Sequence, residues 1–310
     1  MYRYLDVHAG SEMNIDGVHV PAVTPFDDRG DVNEVVFRQV IEHLVNAGVR
    51  GIVVAGTTGE YYALSEAERK RLFALAKEAV SGRALLLAGA NAGSTAEVIR
   101  YGLHARELDY DGLMLACPPT SLPTQDELVA HFSAVAAAVE LPIVLYNYPA
   151  RAGVEIGLGA VERLCGVPQI VGLKESSGDF SRFLALERLF GDRIQISCGS
   201  DDQALDYFRW GVTSWIAGTA NVFPREHVAV LEAVTSGQHD RAGELMAGLL
   251  PWIQHMEAGS YNQKAKLGLV LQGVPVGNTR PPLLPLGDAD VAEYTRIFEA
   301  ARATTAECRT

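Results

Sequence analysis

Lys174 sits at the end of the apolar run Ile170-Val171-Gly172-Leu173, where a long cation is costly to bury unless it is neutral, paired or functional. Desolvation lowers an amine's pKa and makes it a nucleophile toward a carbonyl, so the position suits a Schiff-base lysine. The plainer alternative is a strand-end lysine paired with Glu175 or Asp179, although Glu175, its direct neighbour, points to the opposite face of a regular strand. In Tyr146-Asn147-Tyr148-Pro149, the Tyr146 phenol can relay protons as a carbinolamine forms and collapses. A core tyrosine bonded to backbone is the competing reading, with Asn147 and Pro149 as turn residues.

Gly56-Thr57-Thr58-Gly59-Glu60 offers backbone N–H groups and two hydroxyls, a cradle suited to a carboxylate. It lacks the Gly-Lys-Ser/Thr of a phosphate-binding loop, and a plain glycine turn is the alternative. A second polar loop is Gly199-Ser200-Asp201-Asp202. The eight histidines are scattered without a zinc-type spacing, so no metal site is expected. Gly89-Ala90-Asn91-Ala92-Gly93-Ser94 is the only support for a dinucleotide-dependent oxidoreductase. It lacks the G-x-G-x-x-G spacing and follows the third strand rather than the first.

These groups need a scaffold that gathers loops at one end. Strand-like apolar runs at 17–23, 51–55, 84–88, 112–116, 142–146, 170–174, 194–197 and 214–217 alternate with helical patterns at 32–47, 66–80, 96–108, 125–139, 158–164, 180–190 and 202–210. An eighth helix starts at Pro224, whose fixed φ suits a first turn. The strands are continuously apolar, as a parallel sheet covered on both faces requires. The pattern predicts a (β/α)8 TIM barrel over 17–235, with an N-terminal extension over 1–16 and a C-terminal helical extension over 236–310; a doubly wound open sheet is the alternative. The extension carries helical patterns at 236–257, 260–272 and 288–303. In such a barrel the functional residues belong at the C-terminal strand ends, where the candidate segments fall.

The net charge of −12, with no cluster of Lys and Arg, argues against nucleic-acid or membrane-surface partners. Cys117, Cys165, Cys198 and Cys308 are widely spaced and read as reduced thiols of a cytoplasmic protein. The first fourteen residues lack the apolar run of a signal peptide, and no stretch elsewhere reaches the ~20 apolar residues of a membrane span.

Taken together, G-T-T-G-E, Y-N-x-P, G-x-K-E-x-x-G-D and the opening Pro21-Ala22-Val23-Thr24-Pro25-Phe26 resemble the dihydrodipicolinate synthase / N-acetylneuraminate lyase family, in order and spacing, from about Gly17 to the C-terminal helices. The resemblance implies a (β/α)8 barrel, commonly a homotetramer, acting on pyruvate or another 2-keto acid without metal or organic cofactor. It makes Lys174 the Schiff-base lysine, Tyr146 the proton relay, Thr57 the hydroxyl linked to that relay and Thr58 the carboxylate binder. Arg151, otherwise a surface arginine, resembles the residue that holds the aldehyde's carboxylate. Gly59, Gly199, Ser200, Thr120 and Thr213 complete the substrate-binding set.

Two positions depart from the synthases. Thr120 aligns with a second tyrosine that reaches a neighbouring subunit's site, and Thr213 aligns with a position that is commonly aliphatic. The missing phenol points away from dihydrodipicolinate synthase, unless Tyr61 or Tyr62 replaces it. It favours a 2-keto-3-deoxy sugar acid aldolase or dehydratase. The alternatives are 4-hydroxy-tetrahydrodipicolinate synthase itself and a catalytically silent metabolite-binding barrel.

Overall fold

The computed structural model describes residues 13–307; Cys308 and the first twelve residues, including most of the segment read for a signal peptide, lie outside them. Eight parallel strands close a barrel in chain order: β1 Gly17–Pro21, β2 Gly51–Val54, β3 Leu85–Gly89, β4 Gly112–Ala116, β5 Ile143–Asn147, β6 Ile170–Glu175, β7 Gln195–Cys198 and β8 Ser214–Ile216. The first and last strands pair through Gly17↔Ser214 and His19↔Ile216, which rules out the open sheet. Strand bounds differ from the expected ones by a few residues at their ends.

The outer helices are α1 Glu34–Val45, α2 Glu66–Val80, α3 Thr95–Glu107, α4 Gln125–Val139, α5 Pro149–Ala152, α6 Leu158–Leu164, α7 Phe180–Phe190, α8 Ala204–Arg209 and α9 Pro224–Thr235. Their starts are encoded locally. Ser65 with Glu68 and Thr124 with Glu127 form reciprocal capping boxes, and Asn33, Ser94 and Asp179 cap α1, α3 and α7. Helix α5 was not expected, because Asn147 and Pro149 read as a turn. Proline at its first position and Gly153 in a left-handed conformation just past its end (φ 76°) start and stop it within one turn.

Buried apolar side chains form two layers. Val53, Leu87, Met114, Val144, Val171 and Ile216 fill the barrel, and a larger shell of Leu, Ile, Val and Phe lies between the strands and the helices. Ile15, fully buried, plugs the base: its N–H donates to Gln195 Oε1 at 2.9 Å, and Gln195 Nε2 donates to the Met13 carbonyl at 2.9 Å. After α9 come α10 His239–Glu257, α11 Tyr261–Leu271 and α12 Asp288–Glu307. None of the described helices is long and apolar enough to cross a membrane, and Cys117, Cys165 and Cys198 are free thiols.

The join that matters most for the barrel mouth is between β5 and β6. Tyr146 pairs with Lys174 and Asn147 with Glu175, so alternation sends the first pair inward and the second outward. The outward Glu175 carboxylate, fully buried, accepts from Asn147 Nδ2 at 3.0 and 3.2 Å, from Ser177 N at 2.7 Å and from Arg182 Nε at 3.0 Å. Arg182 also donates to the Ile156 carbonyl at 2.5 Å. Removing one partner of such a pair leaves an uncompensated buried charge. Arg182→Met is therefore expected to lower folding stability by about 3–5 kcal/mol, read by urea denaturation; a loss below about 1 kcal/mol would show the network to be dispensable.

Candidate active site

The C-terminal ends of the strands surround a cavity of about 390 Å³, lined by Thr57, Thr58, Tyr146, Arg151, Lys174, Gly199 and Ser200 from the sequence-derived set. Lys174 stands between Tyr146 on β5 and Ser197 on β7, its strand neighbours in register. Its Nζ lies 4.4 Å from the centroid of the Tyr146 ring. Burial lowers its pKa from an ordinary 10.5 to about 8, against the opposing pull of Asp201, Cys198 and Glu257. The alternative pairings do not form: Glu175 is held by Arg182, and Asp179 caps α7 through Ser181 N at 2.9 Å. Gly199 leaves room for the lysine, since a β-carbon there would lie 2.7 Å from Lys174 Cε and 2.0 Å from Ser176 Oγ.

Tyr146 is buried, and desolvation pushes its phenol above the ordinary tyrosine range. The Tyr148 ring lies 5.9 Å away, and the Arg151 guanidinium stands 5.7 Å over Tyr148. Arg151 reaches the cavity from the single turn of α5, so β5 and its short helix together deliver the phenol pair and a cation.

The Thr57–Thr58 turn is held from outside the barrel. Thr24 Oγ1 donates to the Gly59 carbonyl at 2.7 Å, and Asn262 Nδ2 donates to the Thr57 carbonyl at 3.2 Å. Glu60, left-handed at φ 56°, accepts from Arg280 N at 3.0 Å and pairs with Lys266 Nζ at 2.7 Å, both groups of that pair being buried.

Three expected residues lie elsewhere. Gly59 does not line the cavity; its α-carbon faces Ala22, where a β-carbon would come within 2.9 Å of a backbone carbonyl. Thr213 precedes β8 at the opposite end of the barrel, where it hydrogen-bonds Asp16. Thr120, left-handed at φ 72° in the loop after β4, lies outside the cavity formed by its own chain. Tyr61 and Tyr62 also fall outside it, Tyr62 accepting from Asn262 Nδ2 at 3.0 Å. The phenols that share the cavity with Tyr146 are instead Tyr148 and Tyr261.

Tyr148, Asp201 and Asp202 stand in segments the sequence singled out but were given no role, and Glu257, Tyr261 and Asn262 were missed altogether as lining residues. Tyr148 carried a signal, standing two residues after Tyr146. Glu257, Tyr261 and Asn262 carried none, because they come from the end of α10 and the start of α11 rather than from a strand end. Asp201 is fully engaged, accepting from Trp215 Nε1 at 2.9 Å and from Thr219 Oγ1 at 2.6 Å. The loop weighed for a dinucleotide is tied down by Arg69, which donates to the Asn91 and Gly89 carbonyls at 2.9 and 2.7 Å. No three His, Cys, Asp or Glu side chains among the described residues are grouped to hold a metal ion.

The arrangement offers a buried amine of lowered pKa, a phenol beside it, a hydroxyl-bearing turn and a cation at the rim. Such a set suits carbonyl chemistry through a covalent imine.

The dihydrodipicolinate synthetase family profile matches residues 14–301. The 4-hydroxy-tetrahydrodipicolinate synthase of an Exiguobacterium species is 35% identical over 91% of this chain and 97% of its own, and that of Exiguobacterium sibiricum is 36% identical over 92% and 97%. Among solved structures, the 4-hydroxy-tetrahydrodipicolinate synthase of Methylacidiphilum fumariolicum superposes with a TM-score of 0.92 at 30% identity, covering 96% of this chain and 99% of that one. The chloride-inhibited dihydrodipicolinate synthase of Acinetobacter baumannii, complexed with pyruvate, gives 0.90 at 30% identity over 93% and 99%.

Only the neutral amine attacks a carbonyl, and its fraction grows with pH until the pKa is passed. Log kcat/KM for the keto acid should rise with pH and level off above about 8. A rise that continues toward pH 10 would mean that burial does not depress the amine.

Proposed function

The chain belongs to the dihydrodipicolinate synthetase family, and from that premise we propose that it is a class I aldolase-type lyase that condenses pyruvate with an aldehyde, with 4-hydroxy-tetrahydrodipicolinate synthase as the first candidate reaction. The observation that carries the reading is Lys174, buried in the wall of the cavity with its pKa brought down to about 8.

In this reading the Lys174 amine adds to the pyruvate carbonyl carbon. Tyr146 returns a proton to the carbinolamine oxygen, and water leaves to give the imine. The Tyr146 phenolate left when water departs takes a methyl proton to give the enamine, whose carbon attacks the aldehyde; the phenol then protonates the new alkoxide, and attack of water or of the substrate's own amine on the imine carbon frees Lys174. Thr57 and Thr58 provide hydroxyls on the turn suited to the pyruvate carboxylate. Arg151, at the rim, has the planar donor fork that suits a carboxylate on the aldehyde partner.

The relatives' names support aspartate semialdehyde as that partner, ahead of the 2-keto-3-deoxy sugar acids favoured by the sequence. The sugar-acid reading stays second on one observation: the Thr120 position brings no phenol to the cavity, whose remaining wall is polar and hydroxyl-rich. Steady-state kinetics separate the two. A kcat/KM for aspartate semialdehyde of about 10⁴ M⁻¹s⁻¹ or more selects the synthase, and pyruvate release from a 2-keto-3-deoxy sugar acid at that level selects the other.

Borohydride reduction in the presence of pyruvate should add one pyruvate-derived mass to the peptide that contains Lys174, and Lys174→Ala should abolish it. Labelling that persists in the variant would sink the covalent mechanism. Tyr146→Phe removes one hydroxyl and should lower kcat by roughly 10²–10⁴-fold with the fold intact. Normal turnover of that variant would return Tyr146 to a packing role.

A further inference from the structure

The Thr57–Thr58 turn is gripped at both ends by one face of α11. Asn262 and Lys266 lie one helical turn apart on that helix, so their side chains stand one above the other. Asn262 Nδ2 reaches the start of the turn, donating to the Thr57 carbonyl at 3.2 Å and to the Tyr62 hydroxyl at 3.0 Å. Lys266 Nζ reaches its end, meeting Glu60 Oε1 at 2.7 Å. The amine is itself fixed from behind. It donates to the Asn278 carbonyl at 2.8 Å and lies 4.1 Å from the centre of the Phe26 ring.

Neither Lys266 nor Glu60 lines the cavity of Lys174, and both are buried, at 2% and 0% exposure. A buried ion pair is seldom a gain for folding over an apolar pair of the same volume. What an apolar pair could not do is hold Glu60 in place. Its backbone is left-handed at φ 56°, a conformation that residues with side chains rarely adopt. Its N–H closes the turn on the Thr57 carbonyl at 3.1 Å, and its Oε2 accepts the Arg280 backbone N–H at 3.0 Å. Bonds to the Thr57 carbonyl and to the Glu60 carboxylate therefore set where the two threonines between β2 and Glu60 stand.

We propose that Lys266 and Asn262 are positioning residues for the keto acid, gripping the turn so that the Thr57 and Thr58 hydroxyls meet its carboxylate. On the lyase reading, from which this follows, part of pyruvate recognition lies in a helix outside the barrel. The Lys174 amine is independent of the grip, because β6 is anchored separately through Glu175 and Arg182. Loosening the turn weakens recognition of a carboxylate and spares imine formation with a carbonyl that has none.

Borohydride trapping at the Lys174 peptide, read by mass against carbonyl concentration, tests these roles on the full-length protein. Pyruvate and hydroxyacetone are matched methyl ketones, the second with an alcohol where the first has its carboxylate. The wild type should be half-labelled at a lower concentration of pyruvate than of hydroxyacetone. Lys266→Met should raise the half-labelling concentration of pyruvate about tenfold, the size of a lost charged hydrogen bond, and move that of hydroxyacetone by less than about threefold. That substitution strands Glu60, so Glu60→Gln/Lys266→Met removes both charges together and should give the same selective shift. Asn262→Ala strands no charge, releases the other end of the turn and should act in the same direction. A residue that only supports the fold moves both ketones alike or neither. The roles are overturned if the folded variants shift both ketones equally, or if pyruvate stays within about threefold of the wild type in all of them. A wild type that traps both ketones without preferring pyruvate overturns them too. Absence of trapping with either ketone removes the lyase reading itself, an outcome distinct from trapping without a selective shift.

Discussion

The barrel mouth depends on a buried carboxylate that never faces the cavity. Glu175 sits one residue beyond Lys174, and alternation along β6 forces it outward when the lysine points in. Left alone it would be a charge stranded between strand and helix. Asn147, Ser177 and Arg182 fill its oxygens, and those bonds tie the end of β5 to the end of β6 and to α7. The same residues thus hold Tyr146 and Lys174 at one level. A slip of one residue would exchange the inward and outward sets, placing Glu175 in the cavity and the amine against α7.

A second constraint comes from beyond the barrel. The Thr57–Thr58 turn leaves β2 with Ala55 and Glu60 in left-handed backbone, a strained path for residues with side chains. The C-terminal helices hold it there. Lys266 on α11 pairs with Glu60, and Arg280 donates a backbone N–H to the same carboxylate. Phe26 lies against both cations, at 4.1 Å from Lys266 and 4.3 Å from Arg280. Helix α11 also carries Tyr261 and Asn262 into the cavity wall. The helical extension is therefore part of the site's construction.

Electrostatics inside the cavity follow from who is already bonded. Asp201 could neutralise Lys174, yet its oxygens are held by Trp215 and Thr219, and Thr219 continues to the buried His227 at 2.8 Å. The amine feels a negative charge without a direct partner. Desolvation then prevails, and its pKa falls. Glu257 experiences the same burial with the opposite outcome, because for a carboxyl it is the neutral form that burial favours.

The local signals were short-range, and they were legible in the chain itself. Continuous apolar runs separated by capped helical patterns specify eight β/α units, since capping boxes such as Ser65/Glu68 and Thr124/Glu127 involve residues three apart. Lys174 stood out because a cation inside an apolar strand is a local contradiction, and the adjacent loops at the strand ends suggested its companions. Tertiary structure alone decided which of those companions reach the cavity. Gly59 fell away because a turn's exit direction depends on tertiary packing, not on composition, whereas Thr213, one residue before the apolar run 214–217, lay at the far end of its strand already in the sequence. Glu257, Tyr261 and Asn262 were invisible for the converse reason. They lie some eighty residues after Lys174 on amphipathic helices, where a polar residue reads as solvated surface until the helix docks. Only packing places them within reach of the amine, and that docking energy is spread over many contacts that no short stretch of sequence contains.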